Sequence, residues 1–303
     1  MKAKSSDVDM FVELSDLIST IRKSSSNPGI SKTIWPTIKT GFKILDHWTG
    51  GLAAGDYTVL AGRPCTGKTI FALNIALQVA LDSGKDVLFF SLSSTRETIL
   101  KNVFTIIAGT PASTGLAGNI AFKDLARIVD RFSTLIDQDQ IGSFFAYDEI
   151  YAVDEIEKEI LERKSISQLG LVIIDYLQLC EYTGSSVDRS GELIAISRSL
   201  RKLSKKTGIP IIVLSSVNSG VDERSYNKRP TLVDINVPGE IVDDCDMVWM
   251  LYRDEMYDRC EDNPNRGAVD LAILKNRKGK LNLIEMRFVE EMQRFEDISV
   301  ITS

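Results

Sequence analysis

Gly62-Arg63-Pro64-Cys65-Thr66-Gly67-Lys68-Thr69 satisfies the pattern Gly-x-x-x-x-Gly-Lys-[Ser/Thr] at every fixed position. The glycines let the backbone curl so that consecutive N–H groups point at phosphate oxygens. The flanks supply the context such a loop needs. Tyr57 to Ala61 reads as a short apolar strand entering it, and Lys68 to Leu81 as a helix leaving it. The positive end of that helix dipole faces the same point in space. The stretch predicts a P-loop for a nucleoside triphosphate, ATP with Mg²⁺. Gly62, Arg63, Pro64, Cys65, Thr66, Gly67, Lys68 and Thr69 are the cofactor-binding residues. Lys68 neutralises the β- and γ-phosphates and the Thr69 hydroxyl ligates the metal.

A P-loop of this kind is completed by a carboxylate at the end of a buried strand. Leu171 to Asp175 (LVIID) is four apolar residues followed by an acid. Asp175 is therefore the second metal residue with Thr69, holding Mg²⁺ through its water shell. A strand ending in a capping Asp is the plainer reading of the same five residues.

Outward from this pair, helices and nearly all-apolar strands alternate. Strands are expected at 86–92, 143–147, 171–174 and 210–214, with helices at about 96–107, 153–163 and 192–206. Strands apolar on both faces imply a mostly parallel sheet with helices on both sides. From Met247 the pattern becomes a run of strands joined by turns such as NRKGK (276–280), expected to extend the sheet. Near the N-terminus, Val8, Phe11, Leu14, Leu17, Ile18 and Ile21 recur at helical spacing ahead of SSSNPGIS (24–31), a Ser/Pro/Gly linker. The expected layout is an arm helix and linker over residues 1–32 and one P-loop domain over 33–303.

Bulk composition narrows the class. Of 303 residues, 44% are hydrophobic and 26% charged, ordinary for a globular core. No apolar run reaches the ~18 residues that span a bilayer, and MKAKSSDVDM lacks a signal-peptide core. A cytoplasmic protein without a membrane partner is expected. Four spaced cysteines and the single His47 form no zinc pattern and read as free thiols. A net charge of −6 argues against a surface coated in basic residues, though not against a local nucleic-acid channel.

Several segments then fall into a familiar order. TGFKILDHWTGGLAAGD (40–56), the P-loop, DVLFFSL (86–92), DYLQL (175–179), ISRSLRKLSKKTGIPIIVLS (196–215), KRP (228–230), LYRDEMYD (251–258) and LKNRKGK (274–280) follow one another as in DnaB-type replicative helicase motor domains. The chain resembles that family over roughly residues 33 to 297, with DYLQL and the Arg-Asp pair of LYRDEMYD as the specific marks. The resemblance implies a RecA-like P-loop NTPase fold and a hexameric ring with ATP at subunit interfaces. It also implies single-stranded DNA in the central channel and hydrolysis coupled to translocation. No counterpart of the family's N-terminal collar is expected, and residues 8–22 take the place of the linker helix that docks on the next subunit. Lys275 and Arg277 match the pair that reaches a neighbour's γ-phosphate and join Lys68 and Asp175 as catalytic candidates. A solvated basic turn is the alternative for them.

The departures from the family fall in functional positions. Ser93 stands where the family carries a water-activating glutamate, and serine is no general base near neutral pH. Glu97 lies nearby but matches a helix position. Ser216 replaces a γ-phosphate-sensing glutamine. The strand-contacting Arg-Glu-Ser-Gly is here Asn236-Val237-Pro238-Gly239, keeping only Gly239, and Pro238 has no N–H to offer a phosphate. Binding to single-stranded DNA is accordingly expected to be weak. Arg224, Lys228, Arg229 and Gly239 are the nucleic-acid candidates, with a solvated loop as the alternative. Two readings compete: a diverged working helicase, or a catalytically weak paralogue that binds ATP and partners a replicative helicase or its loader. A recombinase-type or clock-type ATPase is disfavoured by DYLQL and the Arg-Asp-Glu run. His47 beside Trp48 reads as a packed or surface histidine, and Cys65 as incidental to the P-loop.

Overall fold

A computed structural model describes residues 37–109, 141–185, 188–257 and 262–298. The expected arm helix and linker lie outside the described residues. Within them, nine strands form one sheet: β1 (Tyr57–Gly62), β2 (Asp86–Ser91), β3 (Phe144–Tyr147), β4 (Leu169–Asp175), β5 (Ile211–Ser216), β6 (Met247–Tyr252), β7 (Ala268–Asn276), β8 (Asn282–Val289) and β9 (Arg294–Asp297). Their spatial order is β9-β8-β7-β6-β1-β5-β4-β2-β3. The six strands from β6 to β3 in this order run parallel. Strands β7, β8 and β9 continue the sheet antiparallel. The expected extension by C-terminal strands is therefore present. The direction of β8 and β9 follows from the short connections that precede them, since a tight turn joins only antiparallel strands.

Among the described residues six helices flank the sheet: α1 (Lys43–Thr49), α2 (Lys68–Ser83), α3 (Arg96–Ala108), α4 (Val153–Ile166), α5 (Arg189–Thr207) and α6 (Gly239–Asp244). Two apolar clusters lie one on each face of the sheet. Leu60 of β1 and Trp249 of β6 pack with Phe42, Phe71 and Ile99 from α1, α2 and α3 and their approaches. Their strand neighbours Val59, Ala61, Val248 and Met250 join Ile156, Ile196 and Ile241 from α4, α5 and α6. That alternation is the period of two expected of a strand buried on both faces. No helix among the described residues is long and apolar enough to cross a membrane.

The register sets the site. Gly62 at the end of β1 is paired with Ser216 ending β5 and with Leu251 in β6, and Ser91 ending β2 with Asp175 ending β4. The P-loop, Asp175, Ser216 and the segment after Ser91 thus share the carboxyl edge of the parallel strands, where open α/β sheets bind ligands.

Candidate functional site

The P-loop turns tightly because of two glycines. Gly67 has φ +92°, and a Cβ there would lie 2.9 Å from the Phe295 ring. At Gly62 a Cβ would meet the Thr66 hydroxyl at 2.8 Å and the Leu251 carbonyl at 3.0 Å. Cys65 also takes a left-handed conformation, φ +65°, unusual for a residue with a side chain. Its carbonyl accepts a hydrogen bond from Arg253 Nη1 at 3.4 Å. Arg253 belongs to the LYRDEMYD run, is almost wholly buried, pairs with Glu255 and lies 4.4 Å from the Phe288 ring centroid.

Inside the loop, polar groups satisfy one another. Lys68 Nζ donates to the carbonyls of Gly62 at 2.9 Å and Arg63 at 3.0 Å. Burial pulls its pKa down to about 8, an effect the carboxylate of Asp175 opposes. The ammonium is costly to keep in that low-dielectric seat and gains most from an incoming anion. Thr69 Oγ1 donates to Asp175 Oδ2 at 2.6 Å. Asp175 is 2% exposed, and burial raises its pKa against the opposing Thr69 hydrogen bond and Lys68 charge. The hydroxyl and carboxylate form an all-oxygen donor pair, which suits a hard divalent cation.

Arg63 points away from the phosphate seat. It holds both carboxylate oxygens of Asp222, with Nε–Oδ1 at 3.0 Å, and donates to the Val217 carbonyl at 2.9 Å. The loop that leaves β5 is thereby tied to the P-loop. Ser93 is exposed, and Glu97 on α3 forms an ion pair with Lys101 at 2.7 Å. The Lys101 hydrogen bond holds the Glu97 carboxyl below its ordinary range, so its proton affinity is low. At Ser216 the main-chain oxygen accepts from Asn236 N at 2.9 Å. Gln178 of DYLQL donates to Ser215 Oγ and to the Asn236 carbonyl, both at 2.8 Å, and so fastens the Asn236–Gly239 stretch to β5. Gly239 opens α6, with nothing within 4 Å of an added Cβ.

Arg277 sits at the other end of the strands, whereas Lys275 pairs with Val248, level with Val59 of β1. Arg277 N donates to the Asp246 carbonyl at 3.0 Å, and Asp246 Oδ2 accepts from Tyr57 N, the first residue of β1. Gly62 is five residues further along β1, about 16 Å away at strand rise. Lys275 Nζ donates to the carbonyls of Val242 and Asp243, each at 2.7 Å, and Arg277 Nη2 to that of Asp243 at 2.7 Å. Both cations therefore rest on the carbonyl end of α6, where a helix dipole favours positive charge. Of the nucleic-acid candidates, Arg224 pairs with Asp234, and Arg229 with Asp270 at 2.6 Å. Lys228 has no ion pair among the described residues and lies 5.8 Å from the Tyr257 ring centroid.

Sequence patterns did not single out Asp222, Gln178, Asp246 or Arg253 for a role. Gln178 and Arg253 lie inside quoted motifs, which was the available signal. Asp222 and Asp246 are ordinary loop acids until the fold supplies their partners. His47 is exposed, edge-on to Trp48 at 5.3 Å. Cys65 is an exposed free thiol, while Cys180 and Cys245 are buried free thiols whose pKa burial raises to about 12 and about 11.

Comparison with known proteins identifies the family and the fold. The model of the DnaB-like helicase C-terminal domain family matches residues 37–297. Replicative DNA helicase DnaC of Bacillus subtilis (strain 168) is 34% identical over 262 residues, covering 86% of this chain and 56% of its own. Replicative DNA helicase DnaB of Geobacillus stearothermophilus is 32% identical over 262 residues with the same coverage. This chain thus spans somewhat more than half the length of those relatives. Among solved structures, a DnaB-like replicative helicase superposes with a TM-score of 0.79 at 24% identity, over 94% of this chain and 66% of that one. That likeness shows the fold.

Proposed function

The chain belongs to the family of DnaB-like helicase C-terminal domains, and on that premise we propose that it is an ATP-driven motor domain that moves along single-stranded DNA within a ring. The observation that carries the reading is the 2.6 Å contact between Thr69 and Asp175 beside a P-loop whose lysine is seated on its own carbonyls. These groups are gathered where the carboxyl edge of β1 meets that of β4, the place a triphosphate with its metal would occupy.

Lys68 leaves the Gly62 and Arg63 carbonyls for the β- and γ-phosphates of ATP, and the backbone of residues 62–69 cradles the remaining oxygens. Thr69 and Asp175 would hold Mg²⁺, which when bound neutralises charge on the phosphates. Lys275 and Arg277 act in trans. Their positions along the strands, level with Val59 for Lys275 and with Tyr57 for Arg277, about 10 and 16 Å from Gly62, support service to a neighbour's nucleotide. The division proposed is an arm over residues 1–32, outside the described residues, and the motor over 33–303. Arg224, Lys228, Arg229 and Gly239 lie along the strand path. Of these, Lys228 is free of ion pairs among the described residues, whereas Arg224 and Arg229 would have to exchange carboxylates for phosphates.

The finer proposal concerns rate. With Ser93 in place of a carboxylate and Glu97 tied to Lys101, no base is set among the described residues to orient the attacking water, so turnover is slow although ATP binds. The test is calorimetry of ATP with Mg²⁺, followed by hydrolysis assays with and without single-stranded DNA on protein whose mass is checked by light scattering. Expected are ATP binding that Lys68→Ala abolishes, a multi-subunit mass, and slow turnover stimulated by the strand. Unchanged affinity in Lys68→Ala, or a monomer in saturating ATP, would overturn the reading.

A further inference from the structure

The loop between β5 and α6 carries the most exposed large hydrophobic side chain among the described residues, Tyr226 at 97%. The ring is not exposed because its loop is slack. On one side Arg63 holds Asp222 and the Val217 carbonyl, and Arg224 pairs with Asp234. On the other, Arg229 N–H donates to Asn227 Oδ1 at 2.9 Å, and its side chain pairs with Asp270 over the Tyr252 ring, 4.9 Å from the centroid. Chain flanking Tyr226 is anchored on both sides while the ring itself stays in water.

The surroundings select the kind of occupant. Its neighbours in sequence are Ser225, Asn227 and Lys228, the last without an ion pair among the described residues. A protein-binding hot spot would set an aromatic residue in a dry apolar surround, which is missing here. An exposed aromatic ring with a cation two residues on that forms no ion pair among the described residues matches the way single-stranded nucleic acid is held, with bases stacked on rings and the backbone near positive charge. The loop also runs directly into the strand-facing stretch. Val217 bridges to Ile235, and Asn236 N–H pairs with the Ser216 carbonyl. In that stretch Asn236, Val237 and Pro238 offer little grip on phosphate. A base-stacking contact works without the groups that are missing.

We propose that Tyr226 is a stacking platform for an unpaired base of single-stranded DNA, with Lys228, two residues on, for the adjoining phosphate. This rests on the reading that a single strand passes these loops. Stacking uses the π-face that every base has, so the contact tolerates any sequence. Its strength does not come from released counterions, so it outlasts phosphate contacts as salt rises.

The test is fluorescence anisotropy of the full chain with ATP and Mg²⁺, using a labelled oligothymidylate and an abasic strand of equal length. Tyr226→Ala is expected to weaken oligothymidylate binding by about five- to a hundredfold. The abasic strand should change by less than about twofold. Tyr226→Phe should bind as wild type does. The loss in Tyr226→Ala should hold from low to high salt, while that in Lys228→Ala should shrink as salt rises. Wild-type affinity in Tyr226→Ala, with oligothymidylate still bound, would overturn the stacking proposal alone. Equal loss on both strands would also overturn it, because the ring would then serve the loop and not a base. Failure of wild type to bind either strand would overturn this proposal together with the strand reading beneath it.

Discussion

Two loops leave neighbouring strands at the same edge of the sheet, the P-loop from β1 and the 217–235 loop from β5, and they are built on opposite plans. In the P-loop the polar side chains turn inward: Lys68 and Thr66 bond carbonyls of the loop itself, and Thr69 bonds Asp175. Its recognition of phosphate comes mainly from backbone N–H groups, which depend on the two glycines and on little else in the sequence. The 217–235 loop is anchored by ion pairs at its flanks and presents side chains, Tyr226 and the 85% exposed Val233. Backbone recognition tolerates drift at neighbouring positions, whereas recognition by side chains changes with each substitution. The P-loop fits its motif at every fixed position, while Ser93, Ser216 and Asn236 to Pro238 depart from the family pattern. The Arg63–Asp222 pair joins the two loops, so a shift in one is felt by the other.

The largest expected effect tests whether the well-kept half is complete within one subunit. Arg277→Ala should lower turnover by about a thousandfold or more in assembled protein, with ATP affinity unchanged, because a cation supplied in trans acts on charge developing at the γ-phosphate. Mixing Arg277→Ala with Lys68→Ala subunits should restore part of the activity, since some interfaces then pair an intact P-loop with an intact arginine. Mixed rings with no recovery would leave Arg277 as a cap on α6 and a partner of Asp246.

A smaller effect is expected at Ser93, at the edge of the well-kept half. Ser93→Glu should raise turnover by about tenfold or more with little change in ATP affinity, since an oriented base acts in the transition state. Single-turnover kinetics would read this directly. If wild type hydrolyses ATP briskly and the substitution slows it, the base lies elsewhere, and Glu97 would be the next residue to replace despite its bond to Lys101.

What could be read from sequence follows the range of the interactions involved. The parallel strands were legible because each is a short apolar run, buried on both faces, and Asp175 was legible as the acid ending one of them. The P-loop is eight consecutive residues with local geometry. Contacts bridging long separations were not legible: Arg63 to Asp222 spans 159 residues, and Arg253 to Cys65 spans 188. Charge type alone also misleads about availability. Arg224 and Arg229 look like strand-facing cations in sequence, yet each is held by a carboxylate, Asp234 or Asp270, that no local pattern announces. Lys275 and Arg277 were recognisable only through the family motif, and their rest on the carbonyls of Val242 and Asp243 depends on where α6 packs.

The smallest effect lies where the two plans meet, at Ser216. The resemblance implies a γ-phosphate-sensing glutamine there, so its loss is a second candidate cause of the slow turnover proposed above. The geometry argues for a modest one. Ser216 already holds Asn236 through its main-chain oxygen at 2.9 Å, and its hydroxyl accepts from Asn236 Nδ2 at 3.4 Å. Gln178 supplies an amide at this place from a neighbouring segment, bridging Ser215 Oγ to the Asn236 carbonyl. A glutamine at 216 would therefore add about one hydrogen bond to a junction that already has an amide, worth about 0.5–1.5 kcal/mol. Ser216→Gln should accordingly raise turnover about two- to tenfold at most, and less than Ser93→Glu does. The two substitutions together should exceed the product of their separate effects, because a sensor matters more once water is activated, and residues acting on one step couple. The comparison is read from hydrolysis rates of the two single variants and the double. A rise in Ser216→Gln larger than that in Ser93→Glu would reverse the argument. The main loss would then lie in the 217–235 half, in passing the state of the γ-phosphate to the strand.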